Sequence, residues 1–347
     1  MTAWLILSHN DADGIVTAAI LAHALGQTSG VELSEIAIGC FGHGHGGVWS
    51  DFPRAVRDGR VPGWPHSTLP EAVAVLDLPA IALPAGTRAI FVDHHRSWAS
   101  RLPGNPEDAM ADLRIERRLV DPDAPAAATL LAKALKAEGV QVPDHLWEAA
   151  VLAEMTDVLD FRDPEECLRY RDYLPAKLMH LPLMLSEGAC TDVARRMAEG
   201  QTVEEALRPH ENPGLYHEMD ETLELVAKAV VEPVPGVAFL DWTEPPLNDR
   251  PPLRFAAEFH VRHARFTIQV EHALERGQAL LRVGRSPWLA PRESDPDLGA
   301  ILGEFGGGGH LYAAGCQVDP GPDESLNHTE ITRILDRLLG ELALHTR

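Results

Sequence analysis

The first half of the chain carries four short apolar runs, and three of them lead directly into aspartate or histidine. These runs lie at residues 5–8, 35–41, 72–76 and 87–92, with helix-forming or loop segments between them. Continuous apolar runs of this length are typical of strands buried on both faces. Their alternation with helical segments predicts an α/β fold with a parallel sheet, whose strands all end at one edge.

The first apolar run leads directly into His9, Asp11 and Asp13, and Gly14 follows them. Side chains at alternate positions of an extended chain point to the same side, so these three can converge on one point. Crowded carboxylates and a ring nitrogen need a cation between them. The alternative is an ordinary Asp-Gly turn, because that dipeptide is a common loop signal. The spacing alone leaves both interpretations open.

Later strand ends supply further side chains that can bind a metal ion. Asp77 follows the third run, and the triplet Asp93, His94 and His95 follows the fourth. Because parallel strands end at the same edge, we expect these side chains to build one site with the first group. Carboxylates favour hard cations such as Mg²⁺, and added imidazole favours Mn²⁺ or a similar transition metal.

Three other segments of the first half bear on this site. A helix predicted over residues 144–155 is apolar on one face and leads to a further acidic candidate, Asp157. A glycine loop after the second strand holds His43 and His45, whose role stays open because most loop residues carry no function. Residues 50–70 are rich in proline, glycine and arginine, which predicts a loop.

Composition limits the classes of function. The chain has 347 residues, which indicates about two domains. Its formal net charge of −22 argues against a protein that grips long DNA or RNA by the phosphates, but not against a small anionic substrate. The four cysteines are scattered without C-x-x-C spacing, so no zinc ribbon is indicated. We expect a cytoplasmic protein without a membrane span.

The second half begins with helical periodicity and then changes to strands. A break at residues 232–236, rich in proline, marks the predicted boundary. We therefore expect three parts: a metal-binding catalytic domain at 1–185, a helical linker at 186–235 and a smaller α/β domain at 236–347. In the last part, strands are predicted at 237–241, 265–271 and 279–283, and helices at 253–259, 297–305 and 331–344.

The motifs quoted above, in this order, resemble those of the DHH phosphoesterase family, which is named for the triplet Asp93-His94-His95. The segment Arg282-Val283-Gly284-Arg285-Ser286 and the later run Phe-Gly-Gly-Gly-Gly-His-Leu-Tyr-Ala-Ala-Gly at 305–315 resemble the DHH-associated domain of nanoRNases and RecJ-type exonucleases. The likeness spans residue 5 to about residue 320. The single residue between His9 and Asp11 is closer to the RecJ-like members, because phosphatase-type and nanoRNase members commonly have three.

The resemblance implies two metal ions that share the Asp77 carboxylate: one bound by His9, Asp11 and Asp77, the other by Asp13, Asp77, His94 and Asp157. It implies Mn²⁺, with Mg²⁺ or Co²⁺ as substitutes. His95 would contact the scissile phosphate, and Asp93 would orient the site from behind. The implied substrate-binding residues lie in the second domain: Arg285, Ser286, Gly307, Gly308, Gly309 and His310. Arg285 is the best candidate for a fork on a phosphate.

The predicted activity is metal-dependent hydrolysis of phosphodiesters in short oligonucleotides or small dinucleotides, because the acidic composition disfavours long strands. A RecJ-like single-strand exonuclease and a 3′-phosphoadenosine 5′-phosphate phosphatase are alternatives. A pyrophosphatase is disfavoured by the glycine-rich motif, and a non-catalytic nucleotide sensor by the complete set of matched ligands. The sequence leaves open the natural substrate, the polarity of cleavage and whether the chain forms a homodimer.

Overall fold

The computed structural model describes residues 4–41, 52–61, 63–95, 108, 110–273, 277–309 and 311–346. His43, His45 and His310, which the sequence singled out, lie outside these residues. The strands, in chain order, are β1 (Trp4–His9), β2 (Ile36–Phe41), β3 (Ala72–Leu76), β4 (Arg88–Asp93), β5 (Arg114–Val120), β6 (Val231–Val234), β7 (Val237–Asp241), β8 (Phe266–His272), β9 (Ala279–Arg285), β10 (Gly308–Gly309) and β11 (Ala313–Val318).

The helices of the described residues are α1 (Ala12–Ser29), α2 (Phe52–Arg57), α3 (Ala127–Ala137), α4 (Asp144–Asp157), α5 (Pro164–Cys167), α6 (Leu174–Met179), α7 (Leu181–Met184), α8 (Glu187–Ala198), α9 (Val203–Leu207), α10 (Pro213–Ala229), α11 (Ala256–His260), α12 (Leu298–Gly303) and α13 (His328–His345). Short 3₁₀ turns lie at Leu33–Glu35 and Arg208–His210. None of these helices is both long and apolar enough to cross a bilayer.

The chain divides into two units, and each is made of two segments. The first unit contains Met1–Asp160 and Tyr170–Asn212, and the second contains Phe161–Arg169 and Pro213–Arg347. The division after Asn212 falls inside the segment 186–235 that the sequence predicts as a linker. The reason is packing, because α8 packs on α1 and β2 in the first unit, whereas α10 packs on α11 and β7 in the second.

The sheet of the first unit is parallel throughout, as the sequence predicts. Among the described residues its strand order is β2-β1-β3-β4-β5. Successive side chains of β1 enter different cores: Ile6 packs in the cluster that contains α1, and Leu5 and Leu7 pack in the cluster on the other face. Burial on both faces explains why these strands appear in the sequence as continuous apolar runs rather than alternating ones.

Helix α1 lies directly behind the first strand. Asp11 caps its N-terminus by accepting a hydrogen bond from the backbone N–H of Gly14, and Gly30 ends it in the left-handed conformation. Nearly every residue from Ala12 to Leu25 is buried, so the helix is apolar around its whole circumference and belongs to the core. Its first turn is therefore fixed at the carboxyl edge of the sheet.

The sheet of the second unit is mixed. Its order is β10-β11-β9-β8-β7-β6 within the described residues, and only the pair β7 and β8 is parallel there. One face packs against α12 and α13, with Leu298, Ile334 and Leu338 in the shared core. The chain thus has the fold class that the sequence predicts, a parallel-sheet unit followed by a smaller α/β unit.

Some elements differ from the sequence prediction. Helix α2 lies inside the segment 50–70 that was predicted as loop, because Phe52, Ala55 and Val56 bury one short face. Strand β5 was not predicted, because it is an edge strand with charged, largely exposed residues rather than an apolar run. The helix predicted at 253–259 is confined to α11, five residues long.

The substitution Gly14→Ala tests how closely α1 lies on the end of β1. A Cβ atom added at Gly14 would lie 2.4 Å from the carbonyl oxygen of His9, and backbone atoms cannot move aside cheaply. We expect Gly14→Ala to lower the free energy of unfolding by about 1–3 kcal/mol, as overpacking does. Urea denaturation measures this.

The matched control is Gly188→Ala, an exposed position in α8 where an added Cβ meets nothing within 4 Å. That change should be neutral or stabilise the protein by up to about 1 kcal/mol. Equal effects of the two substitutions would contradict the close contact between α1 and β1.

Candidate functional site

The end of β1 and the start of α1 present His9 and Asp11 as a bonded pair. The His9 Nδ1 atom lies 2.6 Å from Asp11 Oδ2, and the other Asp11 oxygen caps α1. Asp11 keeps extended backbone angles, so the period-two argument holds for these two residues. The chain becomes helical at Ala12, however, and this places Asp13 in the first turn of α1. The three side chains therefore do not share one point, because Asp13 faces other donors.

Asp13 is buried and held by the start of a second helix. Its carboxylate accepts hydrogen bonds from the backbone N–H groups of Ala127 (2.7 Å) and Ala128 (2.8 Å), the first residues of α3. These N–H groups have no partner within the helix, and the helix N-terminus favours negative charge. The two bonds fix the position of the Asp13 carboxylate, which is 1% exposed.

Asp77 follows β3 in a backbone conformation that most side chains avoid. Its φ angle is +53°, in the left-handed region where aspartate and asparagine are among the few non-glycine residues that are tolerated. Its N–H donates to the carbonyl oxygen of Val92, at the end of the neighbouring β4. This strained turn directs a buried carboxylate toward the groups from β1 and β4, and strain of this kind concentrates at functional sites.

In the triplet after β4, the aspartate supports the two histidines that follow it. Asp93 is fully buried, and its Oδ1 accepts hydrogen bonds from the backbone N–H groups of His94 (2.8 Å) and His95 (3.2 Å). The same oxygen lies 2.7 Å from His95 Nδ1. Burial alone would lower the pKa of His95, but the hydrogen bond and negative charge of Asp93 raise it above its usual value. Asp93 therefore holds both histidines in place and favours the charged form of one.

His94 shows most directly what the site requires. Its Nδ1 lies 3.3 Å from the carbonyl oxygen of Ala124, which can only accept, so Nδ1 is the donor and Nε2 is the ring atom that faces the site. That Nε2 lies near three carboxylates: 3.3 Å from Asp157, 3.5 Å from Asp77 and 3.7 Å from Asp13. A cation between these atoms would satisfy the ring nitrogen and the carboxylates together.

The buried atoms agree with this conclusion. Among the described residues, His94 Nε2 and Asp77 Oδ1 are buried and have no hydrogen-bond partner. Burial first, and then the negative charge of neighbouring carboxylates, raises the pKa of both Asp13 and Asp77 well above the usual value for aspartate. Buried acceptors without donors are costly, and a divalent cation satisfies them.

Three overlapping groups of donors are close enough to bind metal ions within the described part of the chain. In each, one ligand atom per residue lies within 4.8 Å of the others: His9 with Asp11 and Asp77, Asp13 with His94 and Asp157, and Asp77 with His94 and His95. The structure thus brings together seven of the residues that the sequence singled out, with the support, Asp93, behind them: His9, Asp11, Asp13, Asp77, His94, His95 and Asp157. That these donors bind ions stays a prediction.

The glycine run in the second unit has a packing explanation. A Cβ atom at Gly307 would lie 2.4 Å from both Cys316 Cβ and the Gly315 oxygen, and one at Gly309 would lie 2.3 Å from the Ala313 oxygen. Strand β11 therefore lies against this backbone, whereas a Cβ at Gly308 would meet nothing within 4 Å. The role of Gly307, Gly308 and Gly309 in binding a substrate stays a prediction.

Arg285 and Ser286, two of the predicted substrate-binding residues, have mostly buried side chains in this structure. Ser286 is 2% exposed. The Arg285 side chain is 10% exposed, its Nη1 lies 3.3 Å from Asp295 Oδ2, and its guanidinium carbon lies 4.0 Å from the centre of the Tyr312 ring. The predicted fork on a phosphate remains untested. In this structure, the guanidinium is engaged by a carboxylate and an aromatic ring.

Asp295 was missed by the sequence analysis. It accepts hydrogen bonds from Arg265 through Nε (2.7 Å) and Nη2 (2.6 Å), and from the backbone N–H of Arg292. Burial alone would raise its pKa, but these bonds hold the pKa below the usual value. Asp295 lies in a proline-flanked loop that has no periodicity, and Arg265 is 30 residues away in the sequence, so only the fold reveals this pair.

The sequence matches no family model and no curated relative. Solved structures, in contrast, share its fold over nearly its whole length. The pGpG-specific phosphodiesterase PggH of Vibrio cholerae is 17% identical with a TM-score of 0.56, and the match covers 96% of this chain and 98% of that one. The DHH domain of a member of a ribosomal-protein family is 14% identical with a TM-score of 0.53, covering 98% and 86%.

RecJ from Thermus thermophilus, solved in complex with Mn²⁺, is 15% identical with a TM-score of 0.50. That match covers 96% of this chain but only 51% of the RecJ chain. At these identities the comparisons establish the fold alone. The chain has the fold of DHH-domain proteins, which confirms the fold that the motifs imply.

The substitution Asp77→Asn tests the proposed cation site by stability rather than activity. Asparagine tolerates the left-handed backbone and removes one of several repelling charges, so the metal-free variant should melt no lower than the native protein. Mn²⁺ at 100 times its Kd should stabilise the native protein by about 2.7 kcal/mol and the variant much less. Differential scanning calorimetry with and without Mn²⁺ measures both effects.

The control is Asp112→Asn, an exposed carboxylate outside the donor groups, which should leave the Mn²⁺-dependent stabilisation as it is in the native protein. An Asp77→Asn variant that Mn²⁺ stabilises as strongly as the native protein would contradict the site.

Asp295 should make the second unit sensitive to acid. Because its folded pKa lies below its unfolded pKa of about 3.9, its contribution is present above that value and is lost as the pH falls through the folded pKa. At pH 7, we expect Asp295→Asn to cost about 3 kcal/mol, since its side chain is 3% exposed and its loss leaves the buried Arg265 charge without this carboxylate.

Urea denaturation monitored by circular dichroism between pH 7 and pH 2 measures both the loss and its pH dependence. The variant should lose less stability than the native protein as the pH falls. The control is Asp323→Asn, which removes an exposed carboxylate. The hydrogen bonds seen for that carboxylate come from the N–H and hydroxyl groups of nearby Ser325. A native and a variant protein with the same stability at pH 7 would exclude this role of Asp295.

Proposed function

We propose that this chain is a divalent-metal-dependent phosphodiesterase of the DHH phosphoesterase family, acting on short oligonucleotides or small dinucleotides. The observation that carries this proposal is the position of His94 Nε2, which faces Asp13, Asp77 and Asp157 at 3.3–3.7 Å. An assembly of carboxylates around one imidazole nitrogen, built on four separate elements at the carboxyl edge of a parallel sheet, fits metal-assisted hydrolysis better than a structural role.

Two ions with Asp77 as a shared ligand fit the donor groups best. One would be bound by His9, Asp11 and Asp77, and the other by Asp13, Asp77, His94 and Asp157. When bound, such ions supply Lewis-acid stabilisation of phosphoryl oxygens and lower the pKa of a water molecule. The mixture of carboxylate and imidazole favours Mn²⁺, with Mg²⁺ or Co²⁺ as substitutes.

The second ring of the triplet has a separate role in the proposal. His95 Nδ1 pairs with Asp93, which fixes the ring and favours the imidazolium. We assign His95 Nε2 as the donor to a non-bridging oxygen of the scissile phosphate, where a positive charge stabilises the negative charge that develops. Asp93 is fully buried and acts only through the histidines that it positions.

The size of the substrate follows from charge. A chain of net charge −22 repels a long polyanion, whereas a dinucleotide carries few phosphates and can be neutralised by the ions and a few arginines. The neighbour PggH is named as a pGpG-specific phosphodiesterase and matches this chain over nearly the full length of both. Short substrates are therefore the favoured class.

A RecJ-like exonuclease on longer single strands is the second candidate. The favouring observations are the one-residue spacing of His9 and Asp11 and the fold shared with RecJ in complex with Mn²⁺. The net charge of −22 disfavours it, because a long single strand is a polyanion. A length series from a dinucleotide to a 24-nucleotide single strand distinguishes these candidates.

The activity test uses the full chain with Mn²⁺ and 5′-labelled RNA of graded length, read by gel electrophoresis. We expect the dinucleotide to have the highest kcat/KM and EDTA to abolish turnover. Asp77→Asn should lower kcat/KM by at least about 100-fold, since even residues behind a metal ligand commonly cost 10- to 100-fold.

Asp112→Asn is again the matched control and should keep the native rate. A preference for the 24-nucleotide strand would replace the first candidate with the second. Metal-independent turnover, or full activity of Asp77→Asn, would refute both.

A further inference from the structure

The glycine run leads to two exposed apolar side chains on a fixed backbone. Leu311 is 44% exposed and Tyr312 is 45% exposed. The carbonyl oxygen of Tyr312 accepts a hydrogen bond from the Arg285 N–H (2.8 Å), and that of Leu311 accepts one from the Leu298 N–H (3.3 Å). The backbone that carries both side chains is thus tied to β9 and to the start of α12.

The ring of Tyr312 is supported on one side by a cation. The guanidinium carbon of Arg285 lies 4.0 Å from the ring centre, well within the range of a cation–π contact. The Arg285 side chain is itself mostly buried, at 10% exposure, so the contact is partly shielded from water. One face of the ring is therefore fixed, while nearly half of the residue remains accessible.

Behind Arg285 lies a buried carboxylate that keeps the guanidinium in place. Asp295 contacts Arg285 Nη1 at 3.3 Å and is itself held by two hydrogen bonds from Arg265. The contacts run from Arg265 to Asp295, from Asp295 to Arg285 and from Arg285 to the ring of Tyr312. The charged groups are buried, and the ring lies at the surface. Such an arrangement fixes an aromatic ring before any ligand arrives, which lowers the entropic cost of binding.

The strand that precedes this ring in the chain carries no side chain. Gly308 and Gly309 form β10 and pair with Gly315 and Ala314 of β11. An exposed, preorganised aromatic ring is the kind of surface on which nucleic-acid-binding proteins stack bases.

We propose that Tyr312 is a stacking platform for a nucleobase of the substrate, and that Arg285 and Asp295 are positioning residues for its ring. The inference rests on the proposed function, because it assigns the base-binding part of a nucleotide substrate. In this proposal, Arg285 holds the Tyr312 ring instead of binding a substrate phosphate through its guanidinium. Stacking is tolerant of base identity, so this contact selects nucleotides over simple phosphate esters without reading sequence.

The test measures binding rather than turnover. Isothermal titration calorimetry of the full chain compares adenosine 5′-monophosphate with ribose 5-phosphate, which lacks the base. Tyr312→Leu should weaken the binding of the nucleotide by about 5- to 150-fold, the range for loss of one stacked base, and leave ribose 5-phosphate unchanged. Tyr312→Phe should keep the native affinity because it keeps the ring.

Leu311→Ala is the matched control, since Leu311 is as exposed as Tyr312 and no contact with a cation is seen for it. The nucleotide affinity of this variant should stay within about twofold of the native value. Nucleotide affinity that is equal in Tyr312→Leu and the native protein, or ribose 5-phosphate affinity that falls in parallel, would overturn the proposal. The outcome is independent of catalysis. A protein that binds the nucleotide through Tyr312 but hydrolyses no phosphodiester would refute the proposed function and leave the platform intact.

Discussion

The constraint on which the rest of the first unit depends is the crowding of carboxylates around a ring nitrogen at the carboxyl edge of its sheet. His94 Nε2 faces three carboxylates, and Asp13 and Asp77 are buried with pKa values raised by burial and by one another. A fold that served only its own stability would not keep this arrangement, because each buried charge costs free energy. Under the proposed function, cations would convert the same arrangement from a cost into a binding site.

Each neighbouring element helps to hold that arrangement. The N-terminus of α3 holds Asp13 with two backbone N–H groups, and the carbonyl oxygen of Ala124 sets the tautomer of His94. The turn at Asp77 stores backbone strain at the same point. Because nearly every residue of α1 up to Leu25 is buried and β1 to β4 are buried strands, the core holds the backbone that carries these groups.

Much of the first unit could be predicted from sequence, for a physical reason. Strands β1 to β4 are buried on both faces and therefore appear as continuous apolar runs, and parallel pairing then places Asp77, Asp93 and the histidines at one edge. The grouping within the site was not predictable from spacing. Period-two geometry ends where α1 begins, so Asp13 faces His94 and Asp157 instead of His9 and Asp11.

The second unit was harder to predict because its interactions join distant loops. Nothing local to Asp295 indicates its bond with Arg265, and the sequence around Tyr312 does not reveal that Arg285 contacts its ring.

Anomalous diffraction at the manganese edge, from crystals of the native protein soaked in Mn²⁺, tests the central claim most directly. The account predicts two peaks about 3.5–4 Å apart with Asp77 between them. The absence of peaks at these donors, or peaks only elsewhere on the protein, would contradict it.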